Sequence, residues 1–251
     1  MSGHSHWSTI KRKKSAADAK KGKIFTRIAR EITIAAREGG GDLDLNVRLG
    51  LAIEKAKAAN MPKDSIERAI KRGTGEDKEG VDFEEILYEG YAPHGVALMI
   101  ECVTENRNRT VAELRHILSK AGGGMGDPGS VSWQFDRMTY FALPSDNHDF
   151  DAVFEIAVDA GADDIQQDDE LIEIFGAPTN FKVIADHLTK ANIKPEESGI
   201  RYLPKQELSL DVEQTLKVMK TIEVIEELDD VQNIYSNLEI TEEAIQALEN
   251  N

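Results

Sequence analysis

Cysteine is nearly absent from this 251-residue chain, whose single thiol is Cys102. One cysteine cannot form an intramolecular disulfide, so a disulfide scaffold is excluded and a reducing compartment is indicated. Cys102 lies in the apolar segment GVALMIECV. Because that segment is typical of a buried strand, we expect Cys102 to be a core residue and not a nucleophile.

Long apolar runs are also missing. No run approaches the roughly 18 residues that a membrane span requires, and the N-terminus has no hydrophobic leader segment. The sequence thus predicts a soluble, unsecreted protein in the cytoplasm. It also lacks a nucleophile paired with a base, a Walker motif and a metal-ligand pattern, so we expect no enzyme activity, no cofactor, no bound metal and no small-molecule substrate.

Charge, by contrast, is abundant and uneven. The chain carries a formal net charge of -16, yet residues 1–72 hold 17 basic and 8 acidic side chains, and the remainder is strongly acidic. Lys and Arg at the density of the opening segment neutralise phosphates, so nucleic acid is the predicted partner. Trp7 within this basic arm can stack on a base. The alternatives are a solvated charge run, or an arm that docks on the protein's own acidic domains.

The residues predicted to contact nucleic acid are cationic or aromatic, and they lie in the arm and on the helices after it. They are His4, Trp7, Lys11, Arg12, Lys13, Lys14, Lys20, Lys21, Lys23, Arg27, Arg30, Arg68, Lys71 and Arg72. Arg107 and Arg109 stand before a helix whose Thr110 and Glu113 have the spacing of a capping box. These two arginines predict either a second phosphate site or a loop tied to neighbouring carboxylates.

Hydrophobic periodicity predicts the fold class. Apolar residues at three- and four-residue steps indicate three short helices before Gly73, and strand-like and helical segments alternate after Gly80. The prediction is an α+β protein: an N-terminal three-helix bundle followed by two ferredoxin-like α/β domains, the third inserted into the second. The expected boundaries are 1–79 for the arm and bundle, 80–133 plus 206–251 for the discontinuous domain, and 134–205 for the insertion.

The segment GMGDPG, residues 124–129, matches the dinucleotide fingerprint G-x-G-x-x-G in letters only. The fingerprint follows a strand and opens a helix, whereas this segment follows a helix, contains Pro128 and leads into a strand. We therefore expect a flexible loop between a helix and a strand. Its glycines would allow close approach to a partner's backbone.

Four long motifs resemble the YebC family: GHSHWSTIKRKKSAADAKKGKIFTRIAREI, NMPKDSIERAIKRGTG, the stretch from YEGYAPHG to GSVSWQF, and DDVQNIYSNLEI. The resemblance covers nearly the whole chain. The family comprises bacterial proteins described as probable transcriptional regulators and mitochondrial relatives that activate translation. It implies three domains, a cytoplasmic location and a non-enzymatic role linked to nucleic acid.

Individual positions carry the resemblance too. The matching positions are His4, Ser5, Trp7, Lys11, Lys14, Lys20, Lys23, Phe25, Arg30 and the run Asn106, Arg107, Asn108 and Arg109. His6 departs from the family's usual lysine, which weakens any requirement for a cation there. Leu43 and Val47 stand where the family usually has prolines, which predicts a less rigid loop before the second helix.

Two functions follow from these observations. In the first, the protein is a transcriptional regulatory protein that binds duplex DNA through its arm and bundle, mostly by phosphate contacts. In the second, it is a translation factor that binds ribosomal RNA on the ribosome, with its acidic domains turned towards proteins or solvent. The resemblance favours the first.

Overall fold

The computed structural model describes residues 18–43, 45–77 and 83–249. The chain begins with three helices, which are α1 (Asp18–Gly39), α2 (Val47–Ala58) and α3 (Lys63–Gly73). Helix α1 starts six residues, nearly two turns, before Ile24, where its apolar pattern begins. The greater part of the basic arm, including His4, Trp7, Lys11, Arg12, Lys13 and Lys14, lies outside the described residues.

The three helices form the bundle that the sequence predicts. Their shared core includes the fully buried Ile32, Leu49 and Ala56. Asn46 joins the first two helices: its amide donates to the carbonyl oxygens of Ala35 at 2.7 Å and Gly40 at 2.8 Å, and its Oδ1 caps α2. A buried side-chain amide thus fixes the start of α2.

Four antiparallel strands form the flanking sheet, named for the two chain segments that build it. They are β1 (Glu84–Tyr91), β2 (Ala97–Thr104), β3 (Gly124–Met125) and β8 (Val231–Ser236), in the order β3-β1-β2-β8. Helices α4 (Arg107–Ala121) and α7 (Val212–Glu226) share a core with one face of this sheet. Cys102 is fully buried in that core, as predicted, and burial raises the pKa of its thiol to about 12.

Four more antiparallel strands form the inserted sheet, and all of them come between β3 and β8 in the chain. They are β4 (Phe135–Pro144), β5 (Asp164–Gln167), β6 (Leu171–Gly176) and β7 (Glu197–Pro204). Their order β5-β6-β4-β7, with helices α5 (Phe150–Asp159) and α6 (Phe181–Lys190), is the split βαβ arrangement of ferredoxin-like domains. The core between sheet and helices includes the stacked rings of Phe141 and Phe181.

The predicted fold class is confirmed: a helical bundle precedes two antiparallel four-stranded sheets, and the second sheet is inserted into the first. The flanking sheet differs from the inserted one in strand order, because its chain begins with the hairpin β1–β2 joined by the turn Pro93–Gly95. A helix α8 (Glu242–Glu249) closes the described chain. The residue boundaries expected for the three domains remain predictions.

Candidate nucleic-acid interface

Helix α1 meets the flanking domain through cations spaced along one of its faces. Lys23 donates from Nζ to the carbonyl oxygen of Glu227 at 3.1 Å. Arg30, seven residues on, donates from Nη1 to the carboxylate of Asp230 at 2.8 Å and to the carbonyl oxygen of Asp229. These acceptors belong to the acidic turn, residues 226–230, that joins α7 to β8. The bundle is therefore docked by α1 on this turn.

Arg30 is enclosed at this contact. Its side chain is only 12% exposed, it also donates to the carbonyl oxygen of Val103 at 3.3 Å, and its guanidinium lies 5.4 Å from the ring centroid of Phe83. Nη1 of this guanidinium is engaged by three oxygens, and the small exposed fraction of the side chain leaves little surface for a phosphate in this arrangement. Arg30 is thus a docking residue here.

Asp230 is the hub of the contact; it lies in the family-like motif DDVQNIYSNLEI, but it was not among the predicted site residues. Its side chain is 4% exposed, and it accepts hydrogen bonds from Thr104 Oγ1 at 3.0 Å and Thr110 Oγ1 at 2.7 Å. Arg109 completes the set with Nη2 at 3.0 Å. Burial by itself would raise the pKa of Asp230, but these hydrogen bonds, together with the charge of Arg30, hold it below its usual range.

The two arginines at the start of α4 therefore differ in their contacts and in their exposure. Arg109 reaches Asp230 and lies 3.6 Å from Glu105, which is the carboxylate-tied alternative of the sequence analysis. Arg107 is 66% exposed and lies 3.9 Å from Glu84. The predicted capping box is wrong: α4 begins one turn earlier, so Asn106 caps it by accepting from the Arg109 N–H at 3.1 Å, and Thr110 faces inward.

Arg27 stands between Lys23 and Arg30 on the same helix and is half-buried. Burial lowers the pKa of its guanidinium, and the carboxylates of Glu226 and Asp229 only partly oppose that effect. Its Nε is buried and has no hydrogen-bond partner. The carboxylates of Glu226 and Asp229 thus attract this middle cation to the acidic turn.

Three of the cations predicted to contact nucleic acid lie exposed on α3. Arg68, Lys71 and Arg72 are all exposed, spaced at three and four residues along the last two turns. Arg68 donates from Nε to the carbonyl oxygen of Asp64 at 3.2 Å, which orients its guanidinium along the helix. The backbone of Lys20 and Lys21 belongs to α1, and their side chains lie outside the description.

A cleft of about 800 Å³ separates the bundle from the two sheets. Three ion pairs line it: Arg48 of α2 bonds Glu38 at 2.7 Å and Glu85 of β1 at 2.9 Å, and Lys55 bonds Glu31 at 2.9 Å. Of these, the pair of Arg48 and Glu85 joins the bundle to the flanking sheet. Paired carboxylates do not favour a polyanion.

The described residues contain no cluster of histidine, cysteine or carboxylate side chains that could hold a metal ion. Within the same ranges, no helix combines the length and apolarity that crossing a membrane requires.

Comparison with known proteins covers nearly the whole chain. Residues 5–76 match the TACO1/YebC protein N-terminal domain, and residues 83–238 match the TACO1/YebC second and third domain. A probable transcriptional regulatory protein of Acidithiobacillus ferrooxidans is 52% identical over 249 residues, 99% of each chain. Another protein of that description, from Borrelia turicatae, is 49% identical over 97% of this chain and 99% of its own.

A solved structure agrees with these sequence relationships. The crystal structure of a conserved hypothetical protein from Aquifex aeolicus superimposes with a TM-score of 0.82 at 43% identity, covering 90% of this chain and 93% of the other. Two domain families in the expected order, full-length relatives and a shared fold all agree. The chain belongs to the TACO1/YebC family.

Proposed function

We propose that this protein is a non-enzymatic, cytoplasmic regulator of gene expression that binds DNA through its basic arm and bundle. The observation that carries the proposal is the segregation of charge: the exposed cations of α3 belong to the basic first 72 residues, whereas the rest of the chain is acidic. The curated relatives described as probable transcriptional regulatory proteins support the same role.

The physical basis is counterion release. Each phosphate neutralised by a lysine or arginine of the arm, or by Arg68, Lys71 or Arg72, frees condensed cations, so affinity falls as salt rises. Phosphate contacts fix position without reading bases. Strong, salt-sensitive binding with modest sequence preference is therefore expected of this surface.

The decisive variant replaces Lys11, Arg12, Lys13 and Lys14 by alanine. We expect weaker binding to a labelled DNA duplex and a shallower dependence of affinity on salt, by up to about 0.9 in the logarithmic slope for each phosphate that is no longer neutralised. The matched control replaces four exposed lysines of the acidic part, Lys182, Lys190, Lys194 and Lys217. Equal binding by both variants and the parent chain would show that the arm is not the contact surface.

Ribosomal RNA is the second candidate target. The acidic remainder favours it, because domains of high negative charge repel a long duplex running past them but tolerate an arm that reaches into a crevice of folded RNA. Co-sedimentation of the tagged protein in a lysate gradient separates the two targets. Migration with ribosomal particles that is abolished at high salt supports RNA, and capture by DNA from the top fractions supports the DNA-binding role.

A further inference from the structure

Charged groups and small apolar contacts hold the bundle on the two sheets. The core of the bundle is separate from the core that α4 and α7 share with the flanking sheet. Ile34 of α1 joins Phe83 and Val103 in a cluster between them, and Leu51 of α2 packs against the core of the inserted sheet. Domain contacts that are not large and hydrophobic resemble transient interfaces, so relative motion of the domains is expected.

The charged part of this contact involves cations that the proposed function assigns to nucleic acid. Lys23, Arg27 and Arg30 of α1 all face the acidic turn, residues 226–230. The turn carries four carboxylates in five residues, at Glu226, Glu227, Asp229 and Asp230. Such a run of negative charge attracts cations as successive phosphates do. An acidic segment of the chain itself thus engages the α1 cations.

Asp230 keeps its own partners when α1 leaves. Separating a buried ion pair is normally unfavourable because a buried charge is left uncompensated. Thr104, Thr110 and Arg109 of the flanking domain all donate to the Asp230 carboxylate, so it stays hydrogen-bonded without Arg30. Release of the bundle therefore leaves a satisfied acceptor behind and frees the guanidinium of Arg30 for another anion.

The other two cations of α1 are incompletely satisfied in the docked arrangement. Arg27 is half-buried, and its Nε is buried without a hydrogen-bond partner. Lys23 is exposed and donates to a backbone carbonyl oxygen. Hydrogen bonds to a charged acceptor are stronger than those to a neutral carbonyl. A phosphate oxygen thus offers both cations a better partner than the docked arrangement does.

We infer that the acidic turn is an internal competitor of nucleic acid: it closes the bundle onto the flanking sheet until a phosphate backbone binds the α1 cations in its place. The inference rests on the proposed function, since it concerns cations of the same surface. In the closed arrangement the cations of α3 are exposed and those of α1 are engaged. Because only open molecules present the α1 cations, the apparent affinity falls as the closed fraction rises.

The first test neutralises the turn and leaves Asp230 in place. The turn variant carries Glu226→Gln, Glu227→Gln and Asp229→Asn. The matched control makes the same change of net charge at three exposed carboxylates of α5, with Asp151→Asn, Glu155→Gln and Asp159→Asn. Anisotropy with a labelled DNA duplex should show the turn variant binding about fivefold more tightly than the control, the lower end of typical coupling between sites.

The second test follows the position of the bundle by energy transfer between two dyes. They are attached through Lys57→Cys on α2 and Lys120→Cys on α4, which are both exposed positions. Cys102 stays unlabelled, because it is fully buried and burial raises the pKa of its thiol to about 12. We expect the duplex to change the energy transfer of the parent chain. The turn variant should show part of that change before any duplex is added.

Equal affinities of the turn variant and its control overturn the inference. Tighter binding by the turn variant at constant energy transfer also overturns it, because the neutralised turn then only repels the duplex less. If no protein binds the duplex, the proposed function fails, and the energy transfer of the free turn variant against its control still decides whether the turn closes the bundle. Circular dichroism checks that each variant is folded.

Discussion

The carboxylate of Asp230 lies 2.8 Å from the guanidinium of Arg30, and this buried ion pair joins the first helix of the bundle to the flanking sheet. Asp230 keeps three further donors, Thr104, Thr110 and Arg109, all from the flanking domain itself. The acceptor is therefore organised by its own domain before α1 docks. Hydrogen bonds within the flanking domain offset most of the cost of burying the Asp230 carboxylate. Docking therefore adds one more partner to Asp230, whereas it gives Arg30 its acceptor.

Replacing Asp230 by alanine should lower the free energy of unfolding by about 3–5 kcal/mol, because two arginines and two buried hydroxyl groups lose their common acceptor. Urea denaturation followed by circular dichroism measures the change. Asp186→Ala is the control, since that exposed aspartate lies on helix α6 of the inserted domain. We expect the control to stay within about 0.5 kcal/mol of the parent protein.

The ion pair of Arg30 and Asp230 also predicts that the stability of the protein depends on pH. The lowered pKa of Asp230 means that its contribution is complete above the pKa of an unfolded aspartate, about 3.9, and is lost as the pH falls through the folded value. Stability of the parent chain should fall more steeply below about pH 4 than that of Asp230→Ala. Parallel curves for the two proteins would contradict the assignment.

A double-mutant cycle isolates the docking bond. Arg30→Ala, Asp230→Ala and the double variant should give a coupling energy of about 1–3 kcal/mol in the free energy of unfolding. The exposed pair Lys63 and Glu67, 3.6 Å apart on α3, should couple by no more than about 0.5 kcal/mol. If both cycles gave the same small value, Arg30 would not be a docking residue.

Replacing each of two glycines by alanine should change the stability of the protein in opposite directions. A Cβ on Gly73 would lie 2.3 Å from the carbonyl oxygen of Thr33, so Gly73→Ala must separate α1 from α3 and should lower the thermal midpoint. Gly22 lies in α1 with open space around its Cβ position, so Gly22→Ala should stabilise the helix by about 0.5–1 kcal/mol. Calorimetry on the two variants tests whether close packing at Gly73 outweighs helix propensity.

Alanine at Arg68, Lys71 and Arg72 should weaken DNA binding and lower the salt slope, because three exposed cations are removed from the surface of the bundle. Alanine at Lys182, Lys190 and Lys194, three exposed lysines of the inserted domain, should leave both quantities unchanged. Fluorescence anisotropy with a labelled duplex at several salt concentrations makes the comparison. Equal weakening in the two triple variants would show that binding follows net charge alone.

The order of helices and strands could be predicted from the sequence, because their apolar spacing has a period that one chain segment displays by itself. The three-helix bundle, the split βαβ insertion and buried Cys102 all follow from such local patterns. The two-residue strand β3 and the early cap at Asn106 were missed. The glycines of segment 124–129 suggested a flexible loop, and the spacing of Thr110 and Glu113 suggested a capping box. Tertiary contacts overrode both local signals, and in the loop the buried Glu89 carboxylate accepts from three backbone N–H groups at the end of the segment.

Within the candidate site, the sequence by itself determined which residues are cationic and that they gather in the first 72 positions, because charge is a property of each side chain. Only the tertiary structure decided which cations remain exposed. Arg30 and Arg109 meet Asp230, 200 and 121 residues away in the chain, whereas Arg68 stays on the surface. Burial and partners at such separations are set by the packing of the bundle against the flanking sheet, and no local pattern encodes them.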